Sequence, residues 1–106
     1  MSSLSWLSTA IGNGAAVREL AAGDVLFTQG ALASAMYAVE AGRMRLVRRT
    51  VDGHLAVLHT ARANELFAEA ALFSDVYHCD AVAAVPSRVR KYPKDQVLAG
   101  TNPDMA

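Results

Sequence analysis

At 106 residues with 53% hydrophobic side chains, the chain holds enough apolar matter for one compact domain and too little for two. Ten basic and ten acidic residues cancel, so no net charge draws it to nucleic acid or an anionic membrane, and a single cysteine, Cys79, excludes an internal disulfide. No basic segment followed by an apolar run opens the chain, and no apolar run nears the roughly 20 residues of a bilayer span, so a cytoplasmic protein with no membrane contact is expected.

In chain order, Leu4, Leu7 and Ile11 recur at helical spacing, which predicts a helix over residues 3–11 that Gly12 and Gly14 end and that lays Leu4, Trp6 and Leu7 over the rest of the fold. From Val17 the texture changes to short β-branched and apolar runs punctuated by Gly23, Gly30, Gly42 and Asp52-Gly53. Strands are predicted over 24–27 and 36–40. The clearest unit is a hairpin: residues 43–48 alternate polar and apolar, Asp52-Gly53 supplies the positive-φ turn, and 55–58 return. Met44 and Leu46 should face inward, with Arg43 and Arg45 opposite. Residues 69–72 switch briefly to helix formers, two more strands fall at 79–84 and 88–92 with Pro86-Ser87 turning between them, and a last helix starts at Pro93. Many short strands and frequent turns predict a mainly β fold, a barrel or double-sheet roll with short flanking helices.

Several strings taken together carry a resemblance. Gly23-Asp24-Val25-Leu26-Phe27-Thr28-Gln29-Gly30, then Met36-Tyr37-Ala38-Val39-Glu40-Ala41-Gly42, then Asp52-Gly53, then Phe67-Ala68-Glu69 with Leu72-Phe73, resemble the cyclic-nucleotide-binding domain of CRP/FNR-type transcription regulators over about residues 17–98. The resemblance implies an eight-stranded jelly-roll β-roll holding a small-molecule effector, followed by a helix that supports a homodimer and leads to a DNA-reading module. Residues 93–106 would be the start of that helix. The whole chain, 1–106, is then one effector-sensing domain with no DNA-binding domain of its own, while a full-length relative would bind DNA.

The resemblance also implies where ligand is held. In the family a phenylalanine-glycine-glutamate opens a short helix at the cyclic phosphate, and an arginine followed by serine or threonine completes the site. Here Phe67, Ala68, Glu69 and Ala70 occupy the first part, Cys79 replaces the arginine, and Asp80 replaces the hydroxyl residue. A thiol cannot give the bidentate contact of a guanidinium. A carboxylate about 4 Å from the phosphate would cost roughly 4 kcal/mol at an effective dielectric near 20. Cyclic AMP is thus a poor guest, with His78 or Arg45 as substitute cations and Asp80 alternatively paired to Arg45, Arg48 or a backbone N–H. Asn64, where the family often has glycine, suits a left-handed turn.

His78, Cys79 and Asp80 also invite a haem or metal reading. Neighbours on a strand face apart, however, and one cysteine cannot support an iron–sulfur cluster, so no metal site is assigned. Cys79 as a small buried apolar group and His78 as a hydrogen-bonded rim residue is the plainer account. Arg43, Arg45, Arg48 and Arg49 read as a solvated face, with Arg45 the exception if it turns to the pocket. No nucleophile, metal-ligand spacing or phosphate loop supports an enzyme, and no catalytic residue is assigned. Three roles follow: effector sensor, haem or metal gas sensor, and a ligand-free scaffold for dimerisation or docking.

Overall fold

The computed structural model describes residues 16–101; the helix predicted over residues 3–11 and any continuation past residue 101 lie outside them. Eight strands follow one another: β1 (Ala16–Leu20), β2 (Val25–Phe27), β3 (Ala35–Ala41), β4 (Arg43–Arg49), β5 (Leu55–Arg62), β6 (Leu66–Phe67), β7 (Asp80–Ala83) and β8 (Ser87–Pro93). A short 3-10 helix (Glu69–Phe73) separates β6 from β7, and α1 (Lys94–Thr101) follows β8. The strands form two four-stranded antiparallel sheets, ordered β1-β8-β3-β6 and β2-β7-β4-β5. This is the jelly-roll expected from the strand count and turn spacing.

The hairpin of β4 and β5 forms because residues 43–46 alternate: Met44 is fully buried while Arg43 and Arg45 are exposed. Two details differ from the sequence expectation. Its loop spans residues 50–54 rather than a two-residue turn, and only Gly53 has positive φ, at 88°. Thr50 explains the longer loop, since its Oγ bonds Asp52 and its N–H donates to the His54 carbonyl at 2.7 Å, which closes the wider turn. Further along, the register slips between Leu46 and Val47, so Leu46 is only half-buried and Val47 is buried as well. At the other end, Pro93 is the last strand residue, paired with Ala35, and α1 begins one residue later than predicted. Ser87, expected in a turn, opens β8 and is buried.

The core lies between the sheets. Leu20, Leu26, Val39, Met44 and Val89 fill it around an aromatic ladder: Phe27 stacks on Tyr77 at 3.8 Å and 9°, Phe27 meets Tyr37 at 5.9 Å, and Tyr37 meets Phe67 at 5.5 Å. The ladder runs from β2 in one sheet to β3 and β6 in the other, with each such pair contributing about 0.5–1.5 kcal/mol beyond area burial. Burial, reinforced by the neighbouring Tyr77 phenol and opposed by Arg18, pushes the Tyr37 phenol up to about 12. It is neutral at any physiological pH.

β3 is covered on both faces. Ala35, Tyr37 and Val39 point into the roll, while Met36 and Ala38 join Tyr92 and Val97 in a second cluster that seats α1, with Leu66 and Leu72 against it. A strand buried on both sides needs apolar residues at consecutive positions, and the run Ala35-Met36-Tyr37-Ala38-Val39 provides them. Outside, Arg88 reaches Glu40 at 3.2 Å and Arg90 shares the same carboxylate. Among the described residues no helix is long and apolar enough to cross a membrane.

Candidate functional site

The 3-10 helix and the segment leading into β7 border a cavity of about 210 Å³ that opens to solvent, lined by Phe27, Leu46, Ala68, Glu69, Ala70, Ala71, Val76, Tyr77, His78 and Cys79. Phe27, Ala71 and Tyr77 are buried and make its floor, whereas Glu69, Ala70, Val76 and His78 are exposed and make its mouth. Entry to the 3-10 helix depends on Ala68, which takes a left-handed conformation (φ 64°, ψ 27°) so that the chain can turn from β6. Asn64 holds φ 73° two residues before β6, as its side chain suits. For alanine the left-handed region costs about 1–2 kcal/mol. Ala68→Gly is expected to relieve that strain, less about 0.4–1 kcal/mol for the looser unfolded chain, giving a net gain up to about 1.5 kcal/mol. Ala68→Val should instead lose stability, because a β-branched side chain tolerates this conformation worst. Urea midpoints at unchanged slope measure both.

The structure brings Ala68, Glu69, Ala70, His78 and Cys79 to one cavity and leaves three other candidates apart. Phe67 is 1% exposed and belongs to the aromatic ladder. Arg45 lies on the outer side of β4, in a separate hollow with Gly23, Val47, Leu55 and Val57, because β4 alternation fixes it opposite Met44. Asp80 is the first residue of β7, and its Oδ1 accepts the Gln29 backbone N–H at 2.7 Å. Its carboxylate therefore pairs with a backbone N–H of the loop after β2, as the alternative reading of Asp80 expected, and Asp80 is not among the residues that line the cavity.

A correction concerns His78 and Cys79. They precede β7 in a bend rather than sitting on a strand, so consecutive residues both line the cavity. The His78 ring Nε2 lies 2.9 Å from Ser74 Oγ, and the His78 carbonyl accepts Arg48 Nε at 2.9 Å. Burial raises the Cys79 thiol above its usual range, with the Arg48 guanidinium lowering it and the Asp80 carboxylate raising it. The thiol is neutral at pH 7 and a weak metal ligand in that form. Among the described residues no group of three or more His, Cys, Asp or Glu side chains is placed to hold a metal ion.

The sequence pattern of the cyclic nucleotide-binding domain matches residues 17–101, most of the chain. The chain belongs to that family. No curated protein matches it significantly. Among solved structures, this cyclic nucleotide-binding domain is similar to the sensor domain of the transcriptional regulator DNR from Pseudomonas aeruginosa, with a TM-score of 0.84 and 24% identity over 94% of this chain and 73% of that one. The Thermus thermophilus catabolite activator protein is 27% identical with a TM-score of 0.79, covering 91% of this chain. The N-terminal domain of a transcriptional regulator from Streptomyces coelicolor A3(2) aligns with a TM-score of 0.79 at 24% identity, over 91% of this chain and 68% of that one. The domain spans 45% of the Thermus protein's length. Its relatives are CRP/FNR-family regulators, and its fold and element order are theirs.

Sequence reasoning did not assign Phe27, Leu46, Ala71, Val76 or Tyr77 to the site. Leu46 carried a signal, since its strand parity points it inward. Phe27 and Tyr77 are far apart in sequence, and only the stack between β2 and the segment before β7 unites them.

Proposed function

We propose that this chain is the small-effector-sensing part of a CRP/FNR-like transcription regulator, acting in the cytoplasm in a regulatory and not a catalytic role, and that its effector is not cyclic AMP held in the family's usual pose. One observation carries the reading: among the described residues no lysine or arginine lines the cavity, Arg48 being engaged at the His78 carbonyl, and Cys79 stands where the resemblance places the phosphate-binding arginine. Charge-assisted bonds of that kind contribute about 1.5–3 kcal/mol each. A signal would leave through α1, because Lys94 Nζ donates to the Ser74 carbonyl at 2.8 Å while the Ser74 hydroxyl meets His78 at the cavity mouth.

Thermal melts test this. Cyclic AMP should leave the melting temperature unchanged at millimolar concentration, whereas at least one member of a metabolite library should raise it in a concentration-dependent way. In Cys79→Arg combined with Asp80→Ser, cyclic AMP should bind at least tenfold more tightly than to the parent. Strong stabilisation of the parent chain by cyclic AMP would refute the proposal.

A second reading, haem or metal sensing, is favoured by His78 and Cys79 lining one cavity. A Soret band in protein loaded with hemin would establish it. A library with no hit and no Soret band would leave the scaffold role.

A further inference from the structure

The walls of the cavity specify more than the loss of a phosphate anchor. Phe27, Leu46, Ala71, Val76 and Tyr77 give it an apolar interior, with the parallel Phe27–Tyr77 stack as a flat aromatic element. Among the described residues Glu69 and His78 bring polar side chains to it at the exposed mouth, while the Tyr77 hydroxyl is taken up by Ala35. The His78 ring is engaged by the Ser74 hydroxyl. The Glu69 carboxylate makes no hydrogen bond or ion pair within the described residues, so it is the acceptor open to a guest. The mouth therefore presents a free carboxylate acceptor, with the Arg48 guanidinium held at the His78 carbonyl beside it, and the interior presents carbon.

Size narrows the guest further. A dry apolar cavity of roughly 150 Å³ takes one benzene ring. A cavity of about 210 Å³ thus takes one or two fused rings, with any larger substituent left in its open mouth. Resting on the sensing role above, we propose that this cavity binds a compact aromatic N–H compound of one or two fused rings, neutral or cationic, with its ring beside Phe27 and Tyr77 and its N–H donated to Glu69. Anions of the same size are disfavoured by Glu69, and nucleotides by their charge.

Three molecules sharing one ring system separate size from charge: indole, tryptamine and indole-3-acetate. In thermal melts of the chain, indole and tryptamine should raise the melting temperature with concentration, and indole-3-acetate should bind at least tenfold more weakly than tryptamine. Glu69→Gln should shrink that preference at least fivefold while indole binding changes less than twofold. Ala70→Phe, at the exposed rim, should block all three, with far-UV circular dichroism showing that the variant is folded. If it is not, the charge preference and its loss in Glu69→Gln decide alone. Indole-3-acetate binding as tightly as tryptamine overturns the proposal. If library members stabilise the protein while the three indoles do not, the ligand class is wrong and the sensing role stands. If the library and the indoles all fail, both fall.

Discussion

Gly42→Ala is expected to destabilise the domain by about 3–6 kcal/mol, enough to unfold a substantial share of the population when total stability is of order 5–15 kcal/mol. Gly42 is the single residue between β3 and β4, where the chain leaves one sheet for the other. It holds φ at 91°, and a Cβ there would stand 2.2 Å from Ser87 Oγ, 2.6 Å from the Pro86 carbonyl oxygen and 2.7 Å from Ser87 Cα. Two of these atoms are backbone. The third cannot swing away freely, because Ser87 Oγ is buried, accepts the Arg43 N–H at 3.0 Å and lies 2.7 Å from the Val85 carbonyl it can donate to. Positive φ costs alanine about 1–2 kcal/mol, overpacking about 1–3, and a broken buried hydrogen bond about 1 or more. Gly53→Ala is the control: its φ is 88°, yet nothing lies within 4 Å of its added Cβ, so only the backbone cost applies. Urea unfolding of both variants checks the difference. Equal midpoints would show that the Ser87 contact yields without cost.

Tyr77→Phe should cost about 2–6 kcal/mol although the ring is kept. The Tyr77 hydroxyl donates to the Ala35 carbonyl at 2.8 Å and accepts the Ala35 N–H at 3.2 Å. These two groups need it for a topological reason. The Ser34 carbonyl receives the Lys94 N–H next to β8, so alternation turns Ala35 toward the other side, where β6 pairs only with Tyr37 and Ala38. β6 has ended before it reaches Ala35, and the phenol of Tyr77 replaces the missing strand. Phenylalanine leaves a buried donor and a buried acceptor unpaired, at about 1–3 kcal/mol each. A melting temperature lower by about 8 °C or more is expected from about 4–8 °C per kcal/mol. A change below about 3 °C would mean that water reaches Ala35.

The parts legible in the sequence were those governed by local rules. Alternation through Arg43, Met44 and Arg45 identified β4 and its inward residue, the glycines marked turns, and the string around Phe67 to Phe73 marked the 3-10 helix together with its family. What stayed hidden depended on partners elsewhere in the chain. β1 gave no apolar alternation because four of its five residues are exposed and β8 supplies its order by pairing. β6 is two residues long and exists only against β3. The slip at Leu46 and Val47 has no local marker. Treating residues 78–79 as strand wrongly set His78 and Cys79 on opposite faces, and the true partner of Asp80, the Gln29 N–H, is 51 positions away.

Because β3 contributes to two cores at once, it cannot slide or tilt without emptying one of them. The Lys94 N–H is pinned to Ser34 at 2.8 Å just before that strand, so β3 acts as a fixed rail. Any reorientation of α1 must pivot at the Pro93–Lys94 junction, carrying Val97 around Met36 and Tyr92, and the strand itself stays still.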